Sequence, residues 1–175
     1  MTRTLGTVTL ALAFGLGSAA AHAESPPEPR YGPCRAEHVL DTGTVDVRCG
    51  VERLRVRLLH VAPPQAGDTG YSEATRALRA LLSGRELFLA FASPGQPTLD
   101  RDGVLLVHLY DRAGQNLNIA LVSFGWAAYA PSNAPNPLAL QFQAAEREAR
   151  AEQRAMWTVW AYTVGRGDPR DASDR

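Results

Sequence analysis

Hydrophobic and polar positions alternate most regularly over Arg53–Val61. Arg53, Arg55 and Arg57 share one face there, and Leu54, Val56 and Leu58 the other. A period of two predicts a half-buried strand. Arg35–Leu40 and Thr44–Cys49 carry the same pattern in shorter form, with turns at residues 41–44 and at Gly50 to Glu52. A loop over residues 62–70, turning at Pro63 and Pro64, closes this run of three strands.

The period then lengthens. In "YSEATRALRALLSG" the residues Ala74, Leu78, Leu81 and Leu82 fall on one helical face. Ser72 is the candidate cap, Glu73 favours the positive end of the helix, and Gly84 can stop it. "RELFLAF" (85–91) and "VLLVHLY" (104–110) read as two further strands around the polar loop "ASPGQPTLDRDG". "LNIALVSFGWA" (117–127) predicts a short helix ending near Gly125. After the loop "APSNAPN", Asn136 and Pro137 open a last helix. Leu138, Phe142, Ala145, Ala149 and Met156 lie on one face of it, Glu146, Arg147, Arg150 and Arg154 mostly elsewhere, and Trp157 and Trp160 pack its end onto the body of the fold.

Three strands, a helix, two strands and two helices make an α+β protein. Periodicity by itself leaves a small barrel or a meander open; five strands with a helix after the third suit a five-stranded OB-type β-barrel with three helices. There is no internal repeat.

The ends of the chain read differently. "MTRTLGTVTLALAFGLGSAAAHA" (1–23) has a basic start at Arg3, an apolar run broken by Gly15 and Gly17, and an Ala21-His22-Ala23 ending. That is the form of a secretory signal cleaved after Ala23 rather than of a membrane span. Residues 24–34 form a proline-rich lead-in, 35–160 the folded domain, and 161–175 a charged, flexible tail. No other segment is apolar enough to span a bilayer, so the mature chain is expected to be soluble and exported, periplasmic or secreted. In an oxidising compartment Cys34 and Cys49 are expected to form a disulfide across the first hairpin, worth ~3 kcal/mol by chain entropy; the alternative is two free buried thiols. The 175 residues hold 18 basic and 18 acidic side chains. That balance gives no net pull on nucleic acid, which stays possible but not favoured. All the basic residues are arginine, from which no function follows.

Several stretches together resemble the staphylococcal nuclease (thermonuclease) family over roughly residues 35–160. "VLDTGTVDV" resembles V-x-D-G-D-T-x-x-V, and "VRLLHVAPPQ" resembles V-R-L-x-G-I-D-A-P-E. "LDRDGVLLVHLY" resembles D-R-Y-G-R-x-L-A-Y-V, and "LNIALVSFGWAAY" resembles L-N-x-x-L-V-x-x-G-x-A. "AEREARAEQRAMW" resembles the last helix with its closing tryptophan. Each motif is weak alone; five in order are specific. The resemblance implies the OB-type barrel and calcium-assisted phosphodiester hydrolysis. It also implies a site of two metal-holding aspartates, a glutamate that handles the attacking water, and two arginines that stabilise charge on phosphorus.

Carried over one at a time, those roles fall on Gly43, Arg57, Ala62, Gln65 and Val104. Only Arg57 keeps its group. Glycine and alanine cannot ligate a hard cation through a side chain, glutamine cannot take a proton at neutral pH, and valine carries no charge. Asp41, Asp46 and Asp68 are the nearby carboxylates that could substitute. A register slip of two would put Asp41 at the metal position, but it would break the fit of Thr44 and the hairpin turn.

Arg57 is therefore the residual candidate for binding an anion; the alternative is an ion pair with a barrel acid such as Glu52 or Glu86. Arg53, Arg55 and Arg57 form either a small basic stripe or a solvated face. His38, His60 and His108 are scattered over three strands without metal-ligand spacing, and fit core or surface roles better. Tyr129, with Trp126, could line a stacking surface, though such rings more often close a core. No Ser-His-Asp or Cys-His set is visible. The expected function is an exported nuclease-fold protein without intact catalytic groups and without a metal or other cofactor, binding an unknown protein or anionic ligand. Two alternatives remain: a calcium-dependent nuclease with relocated carboxylates, and an envelope-associated structural role that needs only the barrel.

Overall fold

A computed structural model describes residues 31–158. The expected signal sequence, most of the lead-in, Trp160 and the charged tail lie outside the described residues. In chain order the elements are β1 (Tyr31–Val39), β2 (Thr44–Cys49), β3 (Glu52–Leu58), β4 (Val61–Ala62), α1 (Tyr71–Leu82) and β5 (Leu87–Ala90). There follow β6 (Thr98–Leu99), β7 (Leu105–Asp111), α2 (Leu117–Ser123), β8 (Ala128–Tyr129) and α3 (Ala139–Ala151).

Strands β1, β2 and β3 form an antiparallel meander in which Thr44 faces Arg57 and Cys49 faces Glu52. On its other side β1 pairs with β5, and β5 with β7. Strand β7 then closes on β3 in parallel, from Val56 opposite Leu105 to Leu58 opposite Val107. The ring of five strands is the expected α+β barrel. Closure leaves none of the five with a long unpaired edge. The two-residue strands β4, β6 and β8 escape pattern reading because alternation needs more than one period to show.

The alternation dictates the core. Val45 and Val47 of β2, Val56 and Leu58 of β3, Leu87 and Leu89 of β5, and Val107 and Leu109 of β7 all point inward and are buried. Each such side chain contributes ~1.5–3 kcal/mol relative to its exposed state. On β7 the outward residues His108 and Tyr110 are buried as well. Covering both faces of this strand explains its nearly continuous apolar sequence.

Several boundaries differ from expectation. β1 takes in Tyr31–Pro33, which composition assigns to the lead-in; Tyr31 pairs with Leu89. The strand expected over Arg53–Val61 breaks after Leu58, because His60 adopts a left-handed φ of 61° and the chain leaves the barrel to pair with β8. Helix α1 starts at Tyr71 with Gly70 at its cap, so Ser72 lies inside the first turn rather than capping it. Helix α2 is capped by Asn116, whose Oδ1 accepts from the Ile119 amide at 3.0 Å. Asn136 spends its oxygen on the Leu138 amide, and α3 begins only at Ala139. Met156 is not on the same helix as Phe142: α3 ends at Ala151, and the chain turns through positive φ at Gln153 and Ala155 before burying Met156 and Trp157. Glu146, expected to face outward, is buried and paired with Arg150 at 3.1 Å.

Two residues fix the helices in place, one between the ends of α2 and α3 and one between α2 and the barrel. Gly125, with φ of 76°, sits against the Arg154 backbone, and its carbonyl accepts from the Met156 amide at 3.2 Å. A Cβ at this position would collide with the Arg154 carbonyl. Asn118 is fully buried: its Oδ1 accepts from the Leu109 amide, and its Nδ2 donates to the carbonyls of Leu59 and Val107, each at 3.0 Å.

Cys34 and Cys49 are cross-strand partners and form the expected disulfide. Replacing both by serine should cost ~3 kcal/mol, read as an earlier midpoint in urea, because the closed loop is lost from the unfolded chain. Asn118→Ala should cost ~3 kcal/mol, since the buried Leu109 amide and Leu59 carbonyl lose their partner at once and the Val107 carbonyl keeps only the Leu59 amide; an unchanged denaturation midpoint would count against this account.

Candidate functional site

Strand β3 carries its arginines outward by period two, and each meets an acid from a neighbouring strand or loop. Arg53 Nε lies 3.1 Å from Glu37 on β1. Arg55 forms a two-pronged pair with its cross-strand partner Asp46, at 2.8 and 3.1 Å. That guanidinium holds the Asp46 carboxyl below its usual range. Glu37 also accepts from Arg48. The basic stripe is thus neutralised along its length.

Arg57 ends the row. Its Nε donates to Thr44 Oγ1 at 3.3 Å, and one terminal nitrogen pairs with Asp100 and lies 3.4 Å from Asp102. The expected acids Glu52 and Glu86 are not its partners; Glu52 accepts from Tyr31, and Glu86 pairs with Arg112. The reason lies in the strand order. Parallel closure sets β3 beside β7, so the loop entering β7 hangs over the Arg57 side chain. Asp100 is fixed there: its Oδ1 accepts from the amides of Asp102 and Val104 at 2.9 and 2.8 Å, leaving Oδ2 for Arg57.

The remaining family positions gather near this residue. The Gly43 carbonyl accepts from the Leu58 amide at 2.9 Å, and a Cβ on Gly43 would meet Pro63 Cγ at 3.3 Å. Thr42 Oγ1 donates to the Pro64 carbonyl at 2.6 Å, tying the first hairpin turn to the loop that carries Ala62 and Gln65. Ala62 is in β4, half-buried against Ala128. Gln65 is exposed, with its Nε2 turned back to the Pro63 carbonyl at 3.0 Å. Val104 is half-buried where β7 begins. The fold therefore brings Gly43, Arg57, Ala62, Gln65 and Val104 to one end of the barrel, as a shared site requires.

The three carboxylates that could have substituted are engaged elsewhere. Asp41 Oδ1 accepts from the amides of Gly43 and Thr44, both at 2.7 Å, which builds the hairpin turn. The register Thr44 opposite Arg57 excludes the slip that would move Asp41 into place. Asp46 belongs to Arg55, and Asp68 accepts from the Gln65 amide at 2.7 Å. Among the described residues no three His, Cys, Asp or Glu side chains converge as a metal-holding group.

The aromatic candidates sit in the core. Tyr129 is 7% exposed; its ring stacks on Phe142 at 5.4 Å, and its hydroxyl accepts from Asn136 at 3.3 Å. It offers no face for a ligand to stack on. Trp126 packs partly buried against the same core. Trp157 is buried under the Arg150 guanidinium, 3.9 Å above its ring. His38 is exposed, while His60 and His108, 48 residues apart in sequence, lie side by side in the interior with ring centroids 5.3 Å apart. Sequence spacing gave no sign of that pair. Asp100 and Asp102 were also missed as site residues, although the D-R-D-G turn that carries them is plain in the sequence.

No helix among the described residues is long and apolar enough to cross a membrane. Over 124 residues the chain is 25% identical to a protein from Escherichia coli O157:H7 whose name is "Uncharacterized endonuclease". The match covers 71% of this chain and 76% of that one. An Escherichia coli protein of the same name matches to the same extent. The family model described as staphylococcal nuclease homologue matches residues 55–159, which take in Arg57, Ala62, Gln65 and Val104. With that match over more than half its length, and a five-stranded barrel that gathers the family's site positions at one end, the chain belongs to the staphylococcal nuclease homologue family.

Proposed function

We propose that this protein keeps the nuclease fold without its hydrolysis and works as an exported binding module for a protein or anionic ligand. One observation carries this. Four of the five family site positions lack the needed group, and the fifth, Arg57, is neutralised by Asp100 and Asp102. The donor set does not fit calcium, which needs several hard oxygen ligands. Gly43 and Ala62 have no side-chain oxygen, and Asp41 is spent on its turn. Loss of one preorganised charged group often costs about 100- to 1000-fold in rate, so loss of four leaves little chemistry to recover. An anion would have to displace two carboxylates to reach Arg57, which favours a partner bound by shape and hydrogen bonds over a free nucleic acid strand. The disulfide is compatible with an oxidising compartment.

A second reading rests on the relatives' printed name and on the two acids beside Arg57. In it, Asp100 and Asp102 are relocated metal ligands and the protein is a calcium-dependent nuclease. Their present use as partners of the arginine speaks against it.

Incubation of the purified protein with DNA or RNA, with and without calcium, should give no cleavage, and millimolar calcium should not shift its thermal midpoint. The combined variant Gly43→Asp, Ala62→Asp, Gln65→Glu and Val104→Arg should gain calcium-dependent cleavage; the side chain at 43 needs Pro63 to yield only by tenths of an ångström. Calcium-dependent cleavage by the natural protein, abolished by Arg57→Ala, would overturn the proposal in favour of the second reading.

A further inference from the structure

His60 and His108 have no part in the site described above, and their setting is unusual for two ionisable groups. Both are at most 3% exposed, and each leaves Nε2 buried without a hydrogen-bond partner. Their rings are 5.3 Å apart, and the Phe142 ring of α3 covers both, at 6.0 Å from His60 and 5.9 Å from His108. Nδ1 of His60 lies 3.3 Å from Ser132 Oγ, and Nδ1 of His108 lies 3.4 Å from Asn116 Nδ2. His60 also holds a left-handed φ of 61°, a backbone conformation kept only where the surroundings impose it.

The groups packed around the pair are almost all neutral. The 130–136 loop supplies Ser132 and the backbone carbonyls of Ala130 and Pro135. Helix α2 supplies Asn116 at its cap, and β8 supplies Tyr129 through its stack on Phe142. On α3 the nearest acid in sequence to Phe142 is Glu146, whose carboxylate is held by Arg150; on β7 it is Asp111, held by Arg85. No carboxylate therefore balances a proton placed on either ring, and two protonated rings at this distance repel.

We propose that the His60–His108 pair is an acid-sensitive latch for α3: neutral, the two rings seat Phe142, and protonation releases the helix from the barrel while the five strands hold. Helix α3 packs chiefly on α2 and β8, so its release leaves the pairing of β1, β2, β3, β5 and β7 intact. The direction of the pH effect follows from burial. Desolvation pushes His108 down to about 3, with His60 adding repulsion, and lowers His60 as well. The released state therefore binds more protons than the docked one. Docking is fully favoured above the ordinary imidazole value of about 6.5 and weakens as pH falls towards about 3, by up to tenfold per pH unit for one ring and a hundredfold for two. Between about pH 5 and 6.5 the carboxylates stay ionised, so the histidines alone drive the change.

The test is hydrogen exchange read by mass spectrometry on the full chain from pH 7.5 to 5.0, with rates corrected for the intrinsic pH dependence. Peptides covering 139–158 should lose protection steeply below pH 6.5, while peptides covering 44–58 keep theirs. The slope should fall to at most about tenfold per pH unit in His108→Leu, and vanish in His108→Leu with His60→Asn, asparagine being tolerant of the left-handed φ. Loss of protection in strands and helix together, or an undiminished slope in the double variant, would overturn the proposal. Proton NMR titration of the natural protein decides the matter if the variants do not fold. Two folded-state histidine resonances that stay neutral until α3 opens support the latch; ordinary titration near 6.5 with α3 still docked refutes it.

Discussion

The Asn118 carboxamide meets three backbone groups from two segments that the chain order keeps apart: the Leu59 carbonyl after β3, and the Val107 carbonyl and Leu109 amide on β7. At that point β3 and β7 stop running side by side, and the loop to the candidate site departs. A barrel closed by a parallel pair has to end that pairing somewhere, and the freed backbone groups are buried there. Asn118 satisfies them from the first turn of α2, so one side chain both terminates the closure and docks the helix. The position of Arg57 under the 100–104 loop, and of His60 beside His108, rests on that closure.

At the site end of the barrel, electrostatics follow from the same geometry. Of the outward arginines on β3, Arg53 is matched by Glu37, Arg55 by Asp46, and Arg57 by Asp100 and Asp102. Exposed pairs of this kind contribute ~0–1 kcal/mol each, so their main effect is on surface potential rather than on stability. A row that would draw phosphate is converted into a neutral, hydrogen-bonded face. Asp100 does this with little freedom to move, because its other oxygen is held by two backbone amides.

Much of the barrel was legible because β2 and β3 alternate with a period of two, and their inward residues show it directly, while β7, buried on both faces, reads as a continuous apolar run. Helix starts were less legible. Ser72 and Asn136 carry good capping chemistry, but the chain path gives the α1 cap to Gly70, and Asn136 caps a turn ahead of α3. Local preference is worth about 1 kcal/mol at such positions, less than the burial of Ala74, Leu78 and Phe142 that sets where each helix lies. Tyr129 could not be placed by sequence, since an aromatic ring serves a core or a stacking surface equally well until its neighbours are known; here Phe142 claims its face.

The sequence by itself determined the inward alternation that builds the barrel and the absence of side-chain donors at Gly43, Ala62 and Val104, because no arrangement of the backbone can add a carboxylate or a guanidinium to those residues. Only the tertiary structure decided which acids hold Arg57, 43 and 45 residues away, and which histidines meet beneath α3. Those contacts join segments that have no local relation. They exist because β7 returns in parallel to β3, and the hydrogen bonds and buried surface gained by that closure outweigh any preference that the short stretches around them express alone.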